Sequence, residues 1–323
     1  MAASWSYPGS RGNRRLQSRL RIIVDLERYR RFEKITGFRR CLKHESVSFS
    51  IACLVIHGTI ESMGQSCSVN NLTGFVVNSI QNAPADEVPF HHLRFEHMFP
   101  NDFYAEMLEA MPGPDCYRAM SGKSKTGSSR PDGKPTRSKI DLFPEYIRHL
   151  PPKKREVWGV AGRCLCSKEV EKAFVQRLAP GLERRFGTDF AKVEMYPVPI
   201  LTRDIPGYRI FKHTDSLWKG ITVQFYLPPD DSAPHIGTIF HEVLPNGRKQ
   251  KKAQMPFSPN SGYAFAVADN TWHSADTVGP EVQTRDSILL TYFVDAGPWR
   301  FLRNRGRRFQ NFLRNEMLNL IRN

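Results

Sequence analysis

Between Val193 and Val294 short runs rich in β-branched and aromatic residues recur: VEMYPVPIL (193–201), YRIFKH (208–213), ITVQFYL (221–227), GTIFHEV (237–243), YAFAV (263–267) and SILLTYFV (287–294). Turn-forming residues separate them, notably Pro228–Pro229–Asp230–Asp231, Pro245–Asn246–Gly247 and Pro259–Asn260–Ser261–Gly262. Short strands at regular spacing between such turns predict an all-β sandwich or barrel. Upstream the period becomes helical. Asn101 is placed to cap a helix running through Glu109, with Phe103, Met107, Leu108 and Met111 as its apolar stripe. Ser167 is placed to cap a second, with Val170, Phe174, Val175 and Leu178 on one face, and Pro180 ends or bends it. Helices placed ahead of a β unit pack on one outer face of it, so the whole is expected to be α+β. No internal repeat is visible.

Three stretches break the pattern. Residues 1–62 carry twelve Lys/Arg with acids interspersed and no sustained period. They read either as a solvated basic extension, poorly ordered, or as sequence ahead of a working start at Met63. Residues 121–139 form a Gly/Ser/Pro-rich segment holding Lys123, Lys125, Arg130, Lys134, Arg137 and Lys139, a length that suggests a disordered loop or a functional lid. Residues 299–323 contain seven Arg and one acid, with Phe309, Phe312, Leu313, Met317, Leu320 and Ile321 at helical spacing; this is a basic amphipathic helix. The expected division is therefore a basic extension (1–62), a helical support region (63–190) containing the basic loop, a β core (190–298) and the C-terminal helix (299–323).

Composition adds an expectation about partners. The 323 residues are 40% hydrophobic with 21 Phe, enough for a sizeable core. The formal net charge of +15 implies an anionic partner. Cys41, Cys53, Cys67, Cys116, Cys164 and Cys166 are scattered, without the second close pair a zinc ribbon needs, and read as reduced thiols of a cytoplasmic protein. The apolar run Val47–Ile56 is shorter than the about 20 residues a membrane helix requires, and nothing marks the chain for secretion.

The chemistry concentrates in the β core. His213-Thr214-Asp215 ends a strand-like run, and residues two apart on a strand project from the same face. An imidazole and a carboxylate can thus reach one cation, with Trp272-His273-Ser274 supplying a further ligand from beyond the strand at 263–267. Two His and one carboxylate on one side of a metal leave its other positions open, the arrangement of non-haem iron(II) oxygenases. A keto-acid co-substrate chelating such a metal needs a cation for its far carboxylate. Arg285 offers a planar bidentate fork, Ser287 lies two residues on and can donate a second hydrogen bond, and Lys219 is a weaker substitute. His91, His92 and His97 lack ligand spacing and read as surface or packing residues, His235 as a turn residue, and His241 as a candidate to face the pocket.

The run GYRIFKHTDSLWKGITVQFYLP, followed by GYAFAVADNTWHSA and TRDSILLTYF, resembles the iron(II)/2-oxoglutarate-dependent dioxygenase superfamily, in particular its prolyl-hydroxylase-like branch. The resemblance spans about residues 190–297. It implies a double-stranded β-helix, or jelly roll, with iron(II) held in its mouth by His213, Asp215 and His273. It also implies 2-oxoglutarate and dioxygen as co-substrates of a hydroxylation, and it aligns Tyr226 with a tyrosine that helps hold the far carboxylate. Within the superfamily, the Kdo 3-hydroxylases, which act on the acidic sugar of lipopolysaccharide, suit the basic charge. An anionic small molecule or glycolipid is thus the expected substrate, with peripheral inner-membrane contact through 306–323. A protein prolyl hydroxylase and, outside enzymes, a metal-free jelly-roll module for acidic glycans are the alternatives. No array of stacking aromatics and basic residues marks specific nucleic-acid binding.

Overall fold

The apolar runs form strands, and the strands form two antiparallel sheets. The structure, a computed structural model, describes residues 69–120, 135–294 and Leu313. The expected extension over 1–62 and Met63, most of the basic loop, and the C-terminal helix apart from Leu313 lie outside the described residues. In chain order a helix α1 over 69–82 precedes β1 (Ala85–Asp86) and β2 (His92–Phe95), then α2 (Asn101–Glu109), β3 (Arg118–Ala119) and β4 (Arg137–Asp141). Three helices follow: α3 (Pro152–Leu165), α4 (Lys168–Arg177) and α5 (Ala179–Phe186). The remaining strands are β5 (Met195–Asp204), β6 (Ile210–His213), β7 (Lys219–Tyr226), β8 (Thr238–Val243), β9 (Lys249–Met255), β10 (Gly262–Ala266), β11 (Trp272–Ala275) and β12 (Arg285–Val294).

The larger sheet has the order β1-β2-β10-β7-β12-β5-β4-β3 and the smaller β6-β11-β8-β9. From β5 onward the chain crosses repeatedly between them: β5, β7, β10 and β12 lie in the larger sheet, and β6, β8, β9 and β11 in the smaller. One core cluster joins α1 to α5 with the outer face of the larger sheet, through Val76, Ile80, Met107, Trp158, Phe174 and Leu182 against Val223, Phe225 and Leu290. A second lies between the sheets, where Phe240 and Met255 meet Tyr226, Tyr263 and Phe265. Alternation along β7 divides these layers: Ile221, Val223 and Phe225 face the helices, while Thr222, Gln224 and Tyr226 face the other sheet. The interior between the sheets is therefore the polar face of this strand.

Several local expectations are corrected. The region 63–190 contributes four strands as well as helices. Arg137 and Lys139 belong to β4 rather than to a loop. The helix Asn101–Glu109 forms, but Pro100 is its N-cap residue and no side chain caps it. Ser167 does cap α4, its Oγ accepting from the Val170 N–H at 3.3 Å, and Pro180 sits in the first turn of α5, where its missing N–H costs nothing. Cys116, Cys164 and Cys166 are free thiols. Among the described residues no helix is long and apolar enough to cross a membrane.

Candidate metal centre

His213 on β6 and His273 on β11 are directly opposite each other across the strand pair, with ring centroids 4.2 Å apart. Asp215 follows β6 by two residues, and ligand atoms of the three side chains all lie within 4.8 Å of one another. The Nδ1 of His213 donates to the Phe211 carbonyl at 2.9 Å and that of His273 to the Thr271 carbonyl at 3.0 Å. A carbonyl can only accept, so in each neutral ring the proton sits on Nδ1 and the lone pair on Nε2. Two nitrogen donors of fixed tautomer beside one carboxylate suit a divalent transition metal with open coordination positions.

Asp215 is held as an anion. Burial pushes its carboxyl up, but Lys219, His273 and Thr222 together take it well below the usual carboxylate range. Lys219 Nζ donates to Oδ1 and Thr222 Oγ1 to Oδ2, each at 2.7 Å. Lys219 is thus committed to the metal end and is not a substitute for Arg285. Arg185 on α5 braces the same segment, donating to the carbonyls of Leu217, Lys219 (2.5 Å) and Val267 (2.7 Å). One guanidinium therefore ties the turn after Asp215 to the end of β10, ahead of His273.

A polar network continues away from the metal end along the inward faces of β7 and β12. Ser287 Oγ accepts from Gln224 Nε2 at 2.9 Å and lies 2.9 Å from Thr202 Oγ1. Ser287 therefore belongs to this network, on the same inward face of β12 as Arg285. Tyr263 donates to Gln224 Oε1 at 2.8 Å, and Tyr226 donates to Thr238 Oγ1 at 2.9 Å while accepting from the Thr238 N–H. Arg285 lies at the far end, 1% exposed, with its Cζ 5.4 Å from the Tyr226 ring centre. Its Nε donates to the Ile236 carbonyl at 2.9 Å, Nη1 to Asp204 Oδ2 at 2.9 Å, and Nη2 makes a long 3.5 Å contact to Thr238 Oγ1. Asp204 is fully buried and also receives Nε and Nη2 of Arg137, at 2.6 and 2.7 Å.

The remaining histidines divide by environment. His241 is on the other side of its strand from Phe240: its Nε2 lies 2.8 Å from Ser274 Oγ, so it does not join the ligand set. Burial, with Lys212 and His273 adding, lowers its pKa to about 4. His92 is buried, with Phe240 edge-on to its ring at 4.9 Å, and burial lowers its pKa as well. His91 bonds Glu87 and the Arg177 carbonyl, and His235 sits in a short 3-10 helix 3.8 Å from Glu281.

Sequence reasoning passed over Asp204, Thr222, Gln224 and Thr238, and read Arg137 only as one cation of the basic segment. One signal was present: the tripeptide Thr-Arg-Asp occurs twice, at 202–204 and 284–286. In antiparallel register it pairs with itself, Arg285 opposite Asp204 and Asp286 opposite Arg203.

No family model matches the sequence, and no curated protein does. Among solved structures the chain is similar to a prolyl-4-hydroxylase from Pseudomonas putida, at 14% identity over 69% of this chain and 99% of that one, with a TM-score of 0.39. It is also similar to AviO1 from Streptomyces viridochromogenes (14% identity, 69% of this chain and 95% of that one, TM-score 0.38). A third is a C-terminally truncated protein of Neurospora crassa, in apo form (12% identity, 71% of this chain and 88% of that one, TM-score 0.37). At TM-scores this low the likenesses establish no family for this chain.

Proposed function

We propose that this chain is an iron(II)- and 2-oxoglutarate-dependent dioxygenase that hydroxylates a C–H bond, built on a double-stranded β-helix formed by β5 to β12. The observation that carries the reading is the pairing of two unlike ends in one interior: His213, Asp215 and His273 within 4.8 Å of each other, and a buried guanidinium on the same face of the larger sheet as Thr222. The crossing of eight strands between two sheets supports the jelly-roll reading. Iron(II) held by the two Nε2 atoms and the Asp215 carboxylate would supply oxidative chemistry driven by decarboxylation of the keto acid. The chain's own part is positional. The Phe211 and Thr271 carbonyls aim the imidazoles, Thr222 and Lys219 keep Asp215 ionised, and Arg285 with Tyr226 receives the far carboxylate. Phe240 and Phe265 line the space between the sheets and exclude water.

For the substrate the reading is an anionic molecule, with the Kdo sugar of lipopolysaccharide as the specific proposal. Lys212 and Trp272, the chain neighbours of His213 and His273, project by strand alternation from the outer face of the smaller sheet, where the Lys249 ammonium lies 4.2 Å over the Trp272 ring, so that face is basic. The net charge of +15 acts in the same direction. Under the same proposal residues 306–323 make peripheral membrane contact, and the chain is cytoplasmic, organised as an N-terminal extension, a support region and the β core.

The test is 2-oxoglutarate-dependent succinate release with iron(II), measured against Kdo-lipid, proline peptides and acidic glycans. Turnover with Kdo-lipid alone is expected, and turnover with proline peptides alone would replace the substrate. His213→Ala, Asp215→Ala and His273→Ala should each abolish both Mn(II) binding and turnover while leaving far-UV circular dichroism unchanged. A variant retaining Mn(II) affinity removes its residue from the ligand set. Vesicle sedimentation at low salt, lost at high salt and on removal of 306–323, is the outcome expected for the membrane contact.

A further inference from the structure

Arg137, Asp204 and Arg285 stand directly opposite one another in a single row across the neighbouring strands β4, β5 and β12. Their charges run plus, minus, plus. Asp204 is fully buried, Arg285 is 1% exposed, and the Arg137 side chain is 16% exposed. The phenols around them, Tyr208, Tyr226 and Tyr263, are kept neutral, their pKa values raised by burial. The row therefore holds one positive charge in excess in a place shielded from water, where an uncompensated charge is costly.

Hydrogen-bond counting shows where that excess points. A guanidinium has five N–H donors, and three of those on Arg285 go to Ile236, Asp204 and Thr238. The other two have the neutral Tyr226 phenol beside them, a weaker acceptor than a carboxylate, which would take both in a bidentate pair. Asp204 does not take them, because Arg137 engages both of its oxygens and leaves Arg285 a single contact, to Oδ2.

We infer that Arg137 and Asp204 are positioning residues for the co-substrate: Arg137 holds Asp204 away from a bidentate clasp of Arg285 and leaves the row one carboxylate short, the place taken by the far carboxylate of 2-oxoglutarate. The inference rests on the reading of the centre as a 2-oxoglutarate site. Arg137 comes from β4, outside the eight strands that alternate between the sheets, so the receptor is completed by an accessory strand.

The test uses the full chain loaded with Mn(II) and reads binding directly, by calorimetry and thermal shift, with 2-oxoglutarate and with 2-oxobutyrate, which lacks the far carboxylate. Arg137→Met should weaken 2-oxoglutarate at least about tenfold, the scale of one lost charge-assisted pair, and leave Mn(II) and 2-oxobutyrate binding unchanged. Arg137→Lys, which keeps the charge, should recover much of the loss. Asp204→Asn raises the excess charge and should give a larger 2-oxoglutarate thermal shift than the wild type. If Arg137→Met does not fold, Arg137→Gln carries the same comparison. Wild-type affinity for 2-oxoglutarate in the Arg137 variants, alongside its loss in Arg285→Met, would overturn the inference. So would equal weakening of both keto acids, the mark of general damage. Failure of the Mn(II)-loaded wild type to bind 2-oxoglutarate at all would instead overturn the co-substrate reading, and the inference with it.

Discussion

The two Thr-Arg-Asp segments make two ion pairs of the same composition on opposite faces of one sheet. On the inward face Arg285 meets Asp204, with Arg137 from the third strand beside them; on the outward face Arg203 meets Asp286 through two hydrogen bonds, at 2.8 and 3.1 Å. The third strand supplies Ser138 opposite Arg203, so the outward row is neutral. Its guanidinium is also occupied elsewhere, donating to the Pro112 carbonyl and lying 4.6 Å from the Tyr117 ring centre. The same tripeptide thus makes a closed, neutral pair on one face and part of a row with one positive charge in excess on the other. What separates them is one residue contributed by a neighbouring strand.

Removing each acid in turn gives the sharpest contrast. Asp204→Ala leaves two guanidiniums side by side without a counter-charge and is expected to cost about 3–5 kcal/mol. Asp286→Ala strands only Arg203, which keeps its Pro112 and Tyr117 contacts, and should cost about 1–3 kcal/mol. Urea unfolding of the two variants measures the gap, and equal losses would mean that the inward row carries no special charge. Added 2-oxoglutarate should leave the Asp286 variant's loss unrelieved.

A smaller effect concerns the other inward acid. Lys219→Met takes the ammonium from Asp215 Oδ1 and removes a cation that competes with a metal for the same carboxylate. The metal-free protein should melt lower and the rise in Tm on adding Mn(II) should be larger than in the wild type. A smaller rise would make Lys219 an aid to metal binding instead.

The mildest effect is a pH dependence that separates the faces again. The pKa of His241 is lowered to about 4, against an ordinary value near 6.5. Between these limits the unfolded chain binds a proton that the folded chain refuses. Its contribution to stability is therefore complete above about pH 6.5 and is lost as pH falls toward 4. His92, lowered by burial, acts in the same sense. Asp215, depressed by its partners, contributes a separate loss only at more acid pH, below the ordinary carboxylate value near 3.9. Unfolding free energies measured from about pH 7 to 4 should show this slope, and His241→Gln should flatten it.

Local sequence was a good guide wherever one strand face was apolar and the other was not. The runs at 193–201, 221–227 and 287–294 became β5, β7 and β12 with ends shifted by a few residues. It failed where composition runs against the element. β9 reads KQKKAQM because it is an edge strand, where lysines guard the unpaired side. α3 was hidden partly by Gly159 and Gly162, and Gly162 is there because a Cβ would collide with the Leu142 carbonyl.

The same division holds at the site. The spacing of His213 and Asp215 on one strand and the position of His273 beyond another are local facts, because strand alternation alone puts the first two on one face. The sequence by itself therefore determined the residue types of the candidate metal centre, the α+β pattern and the basic charge. Which way each Thr-Arg-Asp segment faces, and whether its arginine stands alone or in a row, depended on register between strands distant in the chain. Arg137 reaches Asp204 across 67 residues and Arg285 reaches it across 81. Only the sheet could decide that contact: a one-residue slip would have sent each side chain to the opposite face.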